Sequence, residues 1–140
     1  MKKNIIIVKG NPKFRIPGLS EKFYKELDNT VKPYGKIKKI ESDVTSTSIA
    51  KLIKNKNDVI IGFSRGCGYK PQLQNYFNIK NKYIGIGCSK NDVVDYQIKN
   101  PKDKTPEDMS RNSLKNHWTI TKEMKKELVK ILKNLNKGSI

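Results

Sequence analysis

The segment Gly62-Phe63-Ser64-Arg65-Gly66 places a serine between two glycines, with one residue on either side of it. A serine hydroxyl is a weak nucleophile unless an imidazole removes its proton and a carboxylate fixes the tautomer of that imidazole. The two glycines suit a sharp turn from a strand into a helix, where side chains would collide with neighbouring backbone. A glycine-rich connection with an incidental serine has the same composition, so the hypothesis of a nucleophile needs partner residues elsewhere.

Both partners that this chemistry needs follow the serine in the chain. His117 is the only histidine and stands in Asn116-His117-Trp118, ahead of the last helical pattern. Asp92 follows the apolar run at 82–87 after a short polar turn, and Asp95 is a competing carboxylate. A lone histidine is often a packing residue and an Asn-Asp pair often only a turn. With Ser64, however, Asp92 and His117 supply the acid and the base of a catalytic triad.

Apolar runs that alternate with amphipathic patterns predict the elements that would position these residues. We expect an α/β fold with a parallel sheet of about five strands in the order 2-1-3-4-5 and flanking helices, forming one domain over residues 1–140. The catalytic groups would gather at the carboxyl edge of that sheet. The expected strands are 5–8, 36–41, 58–63, 82–87 and a short one at 113–118.

Helices are expected to begin near Ser20, within 45–47, near residue 70 and at Thr121. The third can only begin late after the glycine-rich turn, since Pro71 is tolerated only in a first helical turn. Residues 94–116 carry Pro101, Pro106 and many polar side chains and show little periodicity. The pattern therefore leaves this stretch without an assigned element, apart from the strand expected to start at 113.

The net charge of +17, from 30 Lys and Arg against 13 Asp and Glu, raises the alternative of a noncatalytic α/β module that binds nucleic acid or another polyanion. Nearly all of the basic residues are lysines, 27 against 3 arginines, whereas phosphate and base recognition favours the planar arginine fork. The chain is also rich in isoleucine and asparagine, whose codons, like those of lysine, are AT-rich. Genome composition therefore explains the charge more simply than nucleic-acid binding does.

The sequence contains no apolar run of the roughly 18 residues that a membrane span requires. The apolar run at 5–8 is also too short for the core of a secretory signal, which takes about 7–15 residues. Cys67 and Cys88 show neither metal-ligand spacing nor a disulfide framework, so a reducing cytoplasm is the expected location. We expect no metal and no organic cofactor, and nothing in the sequence indicates an oligomeric state.

Over nearly its whole length the chain resembles a minimal, lidless member of the α/β-hydrolase superfamily, because the triad order Ser, Asp, His is the order of that superfamily. The segment 89–94 resembles its turn after the acid strand. Asn116-His117-Trp118 resembles its Gly-His-aromatic step with Asn in place of Gly. Lys9-Gly10-Asn11 resembles its oxyanion loop with Lys in place of His.

This resemblance implies a serine hydrolase that cleaves a small ester or thioester through an acyl-enzyme. It also implies an oxyanion hole formed by the backbone N–H groups of Asn11 and Arg65. Because the family usually has longer chains, the site should be shallow and open. Two further alternatives are a degenerate hydrolase fold used for protein contacts and a flavodoxin-like nucleotide binder that would use the hydroxyl residues at 45–48.

Overall fold

The computed structural model of the protein describes residues 3–42, 44–105 and 107–138. Within them the chain forms a five-stranded sheet in the order β2-β1-β3-β4-β5, in which every neighbouring pair is parallel. The strands are β1 (Asn4–Val8), β2 (Lys36–Ile40), β3 (Val59–Phe63), β4 (Tyr83–Ile86) and β5 (Tyr96–Ile98). The predicted α/β class and strand order are confirmed.

Burial along the strands explains their composition. β1 and β3 lie next to each other in the middle of the sheet, with all five residues of each buried, and both are apolar apart from Asn4 at the start of β1. β2 lies at one edge and carries exposed or half-buried lysines, which discourage pairing with a further strand. The prediction of a fifth strand at 113–118 is wrong. That segment is helical, and the fifth strand is the three-residue β5, too short to stand out in the sequence.

The helices cover both faces of the sheet. They are α1 (Leu19–Val31), α2 (Ser46–Leu52), α3 (Lys70–Phe77), α4 (Arg111–His117) and α5 (Lys122–Gly138), with 3₁₀ turns at Pro12–Phe14, Lys32–Tyr34 and Ser64–Tyr69. The prediction for Pro71 is confirmed, because it stands in the first turn of α3. None of the helices in the described ranges is long and apolar enough to cross a membrane.

Two hydrophobic clusters hold these layers together. The larger one packs α1 and α5 against one face of the sheet through Phe23, Leu27, Leu128 and Leu132. The smaller one packs α2 and α3 against the other face through Ile49 and Leu73. The central strands supply apolar side chains to both clusters, which fixes the carboxyl ends of β1, β3 and β4 relative to one another.

A buried carboxylate ties the entrances of the two central strands together. Asp58, directly before β3, is 1% exposed and accepts hydrogen bonds from the backbone N–H groups of Asn4, Lys54 and Asn55 at 2.8, 2.8 and 3.0 Å. The side-chain amide of Asn4 adds a fourth at 3.1 Å. Burial alone would raise the pKa of Asp58, but these hydrogen bonds outweigh it and lower the pKa below its usual value.

We expect Asp58→Ala to reduce the free energy of unfolding by about 3 kcal/mol at pH 7, because it leaves buried backbone donors without an acceptor. The lowered pKa means that the carboxylate stabilises fully above the unfolded-state pKa and that this stabilisation is lost as the pH falls through the folded-state value. Urea denaturation should therefore show a constant difference near neutrality that shrinks below about pH 4. The exposed Glu107→Ala is the control, and an equal loss there would contradict the assignment.

Candidate active site

The serine turn leaves the sheet at the end of β3. Ser64 has a backbone φ of 56°, in the left-handed region that a residue with a side chain seldom adopts. The 3₁₀ turn Ser64–Tyr69 starts at this residue. A β-carbon on Gly62 would overlap the carbonyl oxygen of Gly66, and one on Gly66 would overlap the carbonyl oxygen of Val8 in β1. Both positions therefore require glycine, as predicted from the motif.

Buried tyrosines on either side of the turn hold its backbone. The Tyr83 hydroxyl, at the start of β4, donates a hydrogen bond to the carbonyl oxygen of Gly66. Tyr24 of α1 accepts a hydrogen bond from the N–H of Gly10 at 2.9 Å. Burial raises the pKa of Tyr24 to about 12, so its hydroxyl is neutral near pH 7. The loop after β1 and the serine turn after β3 are thus fixed beside each other.

His117 is the last residue of α4 and is 7% exposed. Its Nδ1 lies 2.7 Å from Oδ2 of Asp103 and 2.8 Å from the hydroxyl oxygen of Thr105. Its ring packs against the ring of Phe63 with centroids 4.7 Å apart. Gly87 leaves room for the ring, since a β-carbon there would stand 2.9 Å from Cε1 of His117. The imidazole is therefore held in one orientation by polar and packing contacts together.

Asp103 is itself fixed by Thr105, whose hydroxyl and backbone N–H donate to Oδ1 at 2.7 and 3.0 Å. Burial acts to raise the pKa of Asp103, but hydrogen bonds from His117 and Thr105 outweigh it and lower the pKa below its usual value. The carboxylate is therefore ionised at neutral pH and can only accept hydrogen bonds. Nδ1 of His117 is therefore the donor to this carboxylate, and in the neutral form of the ring this tautomer places the lone pair on Nε2.

The structure corrects the prediction that Asp92 orients the histidine. Oδ2 of Asp92 instead accepts the backbone N–H of Ser89 at 2.9 Å and closes a turn after β4. The competing candidate Asp95 forms an ion pair with Lys70 at 3.2 Å and accepts the N–H of Tyr83 at 2.8 Å. Both carboxylates have structural partners, and Asp103 contacts His117 in their place.

Asp103 was missed because the strand that precedes it has only three residues. With the last strand expected at 113–118, residues 94–116 had no sheet edge to which a carboxylate could be assigned. One local signal was present, since Asp103 and Thr105 form an Asp-x-Thr turn in which the carboxylate accepts the N–H two residues later. Such turns are common, so the signal by itself does not indicate catalysis.

Ser64 and His117 line the same cavity, of about 510 Å³, at the carboxyl edge of the sheet. Asp92, Thr105 and Arg65 also line it. No hydrogen bond joins the Ser64 hydroxyl to the His117 ring among the described residues. Such contacts in enzymes without substrate are often long and shorten only in the reacting complex. The cavity thus brings together the predicted nucleophile and base, with Asp103 behind the base.

The predicted oxyanion donors lie on the loop after β1 and on the serine turn itself. Arg65 is the second residue of its 3₁₀ turn, where a backbone N–H has no acceptor within the helix. The N–H of Asn11 donates no hydrogen bond to any other described residue, whereas that of Gly10 is engaged with Tyr24. A β-carbon on Gly10 would lie 3.3 Å from Cβ of Ser64, so the loop with Asn11 passes close to the nucleophile.

The bonding of the two cysteines differs from what the sequence led us to expect, since they form a disulfide. Cys67, in the 3₁₀ turn, and Cys88, after β4, are disulfide-bonded, with their Cα atoms 5.7 Å apart. The sequence separation of 21 residues gave no sign of this, because the pairing depends on β3 and β4 being neighbours. The two sulfurs and a carboxylate oxygen of Asp92 all lie within 4.8 Å of one another.

No protein-family model, curated protein or solved structure matches this chain. The resemblance to α/β-hydrolases therefore remains a prediction from the motif residues.

The close approach of the serine turn to β1 generates a test with a matched control. Gly66→Ala should lower the free energy of unfolding by about 3 kcal/mol, because the new methyl group meets the backbone of Val8 rather than a movable side chain. Gly68→Ala lies two residues further on, where the nearest atom is 3.7 Å away, and should change it by less than about 1 kcal/mol. Equal denaturation midpoints for the two variants would contradict this packing.

Proposed function

We propose that the protein is a serine hydrolase that cleaves a small carboxylic ester or thioester. In this proposal Nε2 of His117 takes the proton of Ser64 while the serine oxygen attacks the substrate carbonyl. The tetrahedral intermediate expels the alcohol or thiol, which receives the proton from His117. Water activated by the same imidazole then attacks the acyl-enzyme, and cleavage of the Ser64 ester bond releases the acid.

The strained backbone at Ser64 is the observation that supports this proposal most directly. A non-glycine residue with a φ of 56° costs free energy and persists where the surrounding packing imposes it. Here the close backbone contacts among Gly62, Gly66 and Val8 impose it, and Ser64 lines the cavity. A glycine-rich connection without a function would not need a serine in this conformation.

The contacts of His117 support its role as general base. An ionised Asp103 at Nδ1 fixes the tautomer that a base requires and would stabilise the imidazolium that forms when Ser64 loses its proton. Asp103 is shielded from water, with a side chain only 10% exposed, so this interaction is screened less than a surface ion pair. The catalytic triad we propose is therefore Ser64, His117 and Asp103.

The backbone N–H groups of Asn11 and Arg65 are the proposed oxyanion donors, since neither has a hydrogen-bond partner among the described residues. Asn11 lies beside the serine turn and Arg65 lies within it. Fixed donors of this kind stabilise the charge that develops on the carbonyl oxygen and typically contribute about 3 kcal/mol each. Tyr24 supports this arrangement indirectly. Its hydroxyl accepts a hydrogen bond from the N–H of Gly10 and so fixes the loop. Among the described residues, the N–H of Asn11, the next in the chain, is then left without an acceptor.

The cavity walls favour an acyl group with a short apolar chain. Phe14, Met109 and Leu114 line the cavity, and Phe14 and Met109 are 46% and 45% exposed. Trp118 holds this wall in place, because its Nε1 donates to the carbonyl oxygen of Phe14 at 2.9 Å. An acyl chain bound over these side chains would remove their apolar surface from water. The alcohol or thiol part of the substrate would extend out of the open cavity and could be larger.

Labelling with a fluorophosphonate tests the nucleophile and the enzyme class together. We expect stoichiometric modification of Ser64, located by peptide mass spectrometry, and turnover of a short-chain activated ester. Ser64→Ala should lose both without a change in its denaturation midpoint, because the glycines set the backbone. Ser48→Ala, at the start of α2 and outside the cavity, is the matched control. No labelling, together with binding of nucleic acid that weakens steeply with salt, would favour the polyanion-binding alternative.

The two aspartates at the cavity allow a direct test of the triad acid. Asp103→Asn should lower kcat by several orders of magnitude, about 10⁴ in the serine protease template, because the amide favours the wrong imidazole tautomer. Asp92→Asn should have a small effect, since its side-chain oxygen can still accept the N–H of Ser89. Steady-state kinetics on both variants, with their stability measured alongside, decides between them. A larger loss in Asp92→Asn would return the acid role to Asp92.

A further inference from the structure

The disulfide between Cys67 and Cys88 lies directly beneath the candidate active site. Cys67 is three residues after Ser64 on the 3₁₀ turn and is completely buried. Cys88 is half-buried and follows β4. Their Cα separation of 5.7 Å is typical of disulfide-bonded cysteines. The bond therefore joins the turn that carries the nucleophile to the neighbouring strand.

The packing around the sulfurs is specific for this pair. Gly85 of β4 lies under them, where a β-carbon would overlap Sγ of Cys88 and lie 3.2 Å from Sγ of Cys67. Sγ of Cys67 also lies 3.5 Å from the carbonyl oxygens of Gly62 and Ile86. The sheet thus leaves space for two sulfurs at this position because β4 has a glycine there.

The same bond reaches the histidine side of the cavity. Gly87, the neighbour of Cys88 in the chain, packs against the His117 ring. Asp92, which lines the cavity, has a carboxylate oxygen within 4.8 Å of both sulfurs. A movement of Cys88 away from Cys67 would therefore shift the backbone that supports the imidazole, while Cys67 remains attached to the serine turn.

We propose that Cys67 and Cys88 are a reversible thiol-disulfide pair whose oxidised form holds Ser64 and His117 in register for catalysis. The oxidant is a small disulfide such as oxidised glutathione. The exposed part of Cys88 attacks it as a thiolate and releases one glutathione thiol, and Cys67 then attacks the mixed disulfide and releases the second. Two cysteine thiols and one glutathione disulfide become one protein disulfide and two glutathione thiols. A dithiol reductant reverses the reaction, so activity would be high in oxidising and low in reducing conditions.

The effect on activity rests on the proposed hydrolase function, whereas the formation of the bond does not. The first measurement is therefore chemical. Purified protein is equilibrated with oxidised glutathione or dithiothreitol, precipitated and washed in acid to stop thiol exchange, and redissolved in denaturant near neutral pH with a thiol-alkylating reagent. We expect no alkylation and a Cys67–Cys88 peptide in the first sample, and two alkylated cysteines in the second. Complete alkylation of both cysteines in the sample treated with oxidised glutathione would overturn the proposal. Tight binding of Zn²⁺ by the reduced protein would also overturn it, because the two sulfurs and Asp92 would then serve as metal ligands.

The second measurement compares the two redox forms in stability and activity. Closing a loop of this length should raise the Tm of the oxidised form by roughly 10 °C. Reduction should lower kcat/KM on an activated ester by about tenfold or more, since misplacing a catalytic pair by about 1 Å has effects of that order. Reoxidation should restore both values. A disulfide that forms without changing kcat/KM would overturn its coupling to activity, and a fluorophosphonate that fails to label Ser64 would instead overturn the hydrolase function.

Cys88→Ser removes the pair at its half-buried end and should resemble the reduced protein in both redox buffers. Asn91→Ser, an exposed change on the same loop, should keep the full redox response of the unmodified chain. If Cys88→Ser still responded to dithiothreitol in Tm and kcat/KM, the response would have to arise elsewhere and the assignment would be wrong.

Discussion

The candidate site depends on one backbone packing constraint, the close approach of the serine turn to the central strands. β1 and β3 are neighbours, so the carbonyl oxygen of Val8 faces the turn at Gly66, and Gly66 in turn faces Gly62. Neither contact leaves room for a side chain. The turn can therefore only leave the sheet in a conformation that puts Ser64 at positive φ and starts a 3₁₀ helix at once.

The histidine side of the cavity is built by the segment between β5 and α5. In this segment Asp103 and Thr105 form a compact polar turn, α4 brings His117 to it, and Trp118 anchors the loop that carries Phe14. The segment that the sequence pattern predicted as an edge strand is therefore a short helix. The consequence is that the proposed acid and base come from one contiguous stretch of chain, whereas the proposed nucleophile comes from the centre of the sheet.

Charge and redox chemistry bear on this site in different ways. The excess of lysine gives the molecule a net charge of +17, whereas the wall of the cavity combines Phe14, Met109 and Leu114 with polar residues that include Arg65 and Asp92. The disulfide, by contrast, is in direct contact with the supports of the site, through Cys67 on the serine turn and Cys88 beside Gly87. We therefore expect the redox state of the protein to affect its activity more than its surface charge does.

The sequence alone was enough to predict the α/β class, the strand order and the glycine-flanked serine turn. Those features depend on local signals, since buried parallel strands are continuous apolar runs and a turn without space for side chains requires glycine. It also limited the candidate base to His117, because the chain has only one imidazole. For these residues the type and the spacing already limit the possible structures.

Tertiary structure alone decided which carboxylate serves His117 and which partner Cys67 has. Asp92, Asp95 and Asp103 look alike in the sequence, and their roles differ only because each meets a different neighbour: the N–H of Ser89, the ammonium of Lys70 or the imidazole. The cysteines are paired by the adjacency of β3 and β4, which no short-range pattern specifies. Contacts between distant segments depend on how whole helices and strands pack against one another. A three-residue strand such as β5 is also too short to be recognised from its sequence, so the position of the residues that follow it could not be predicted.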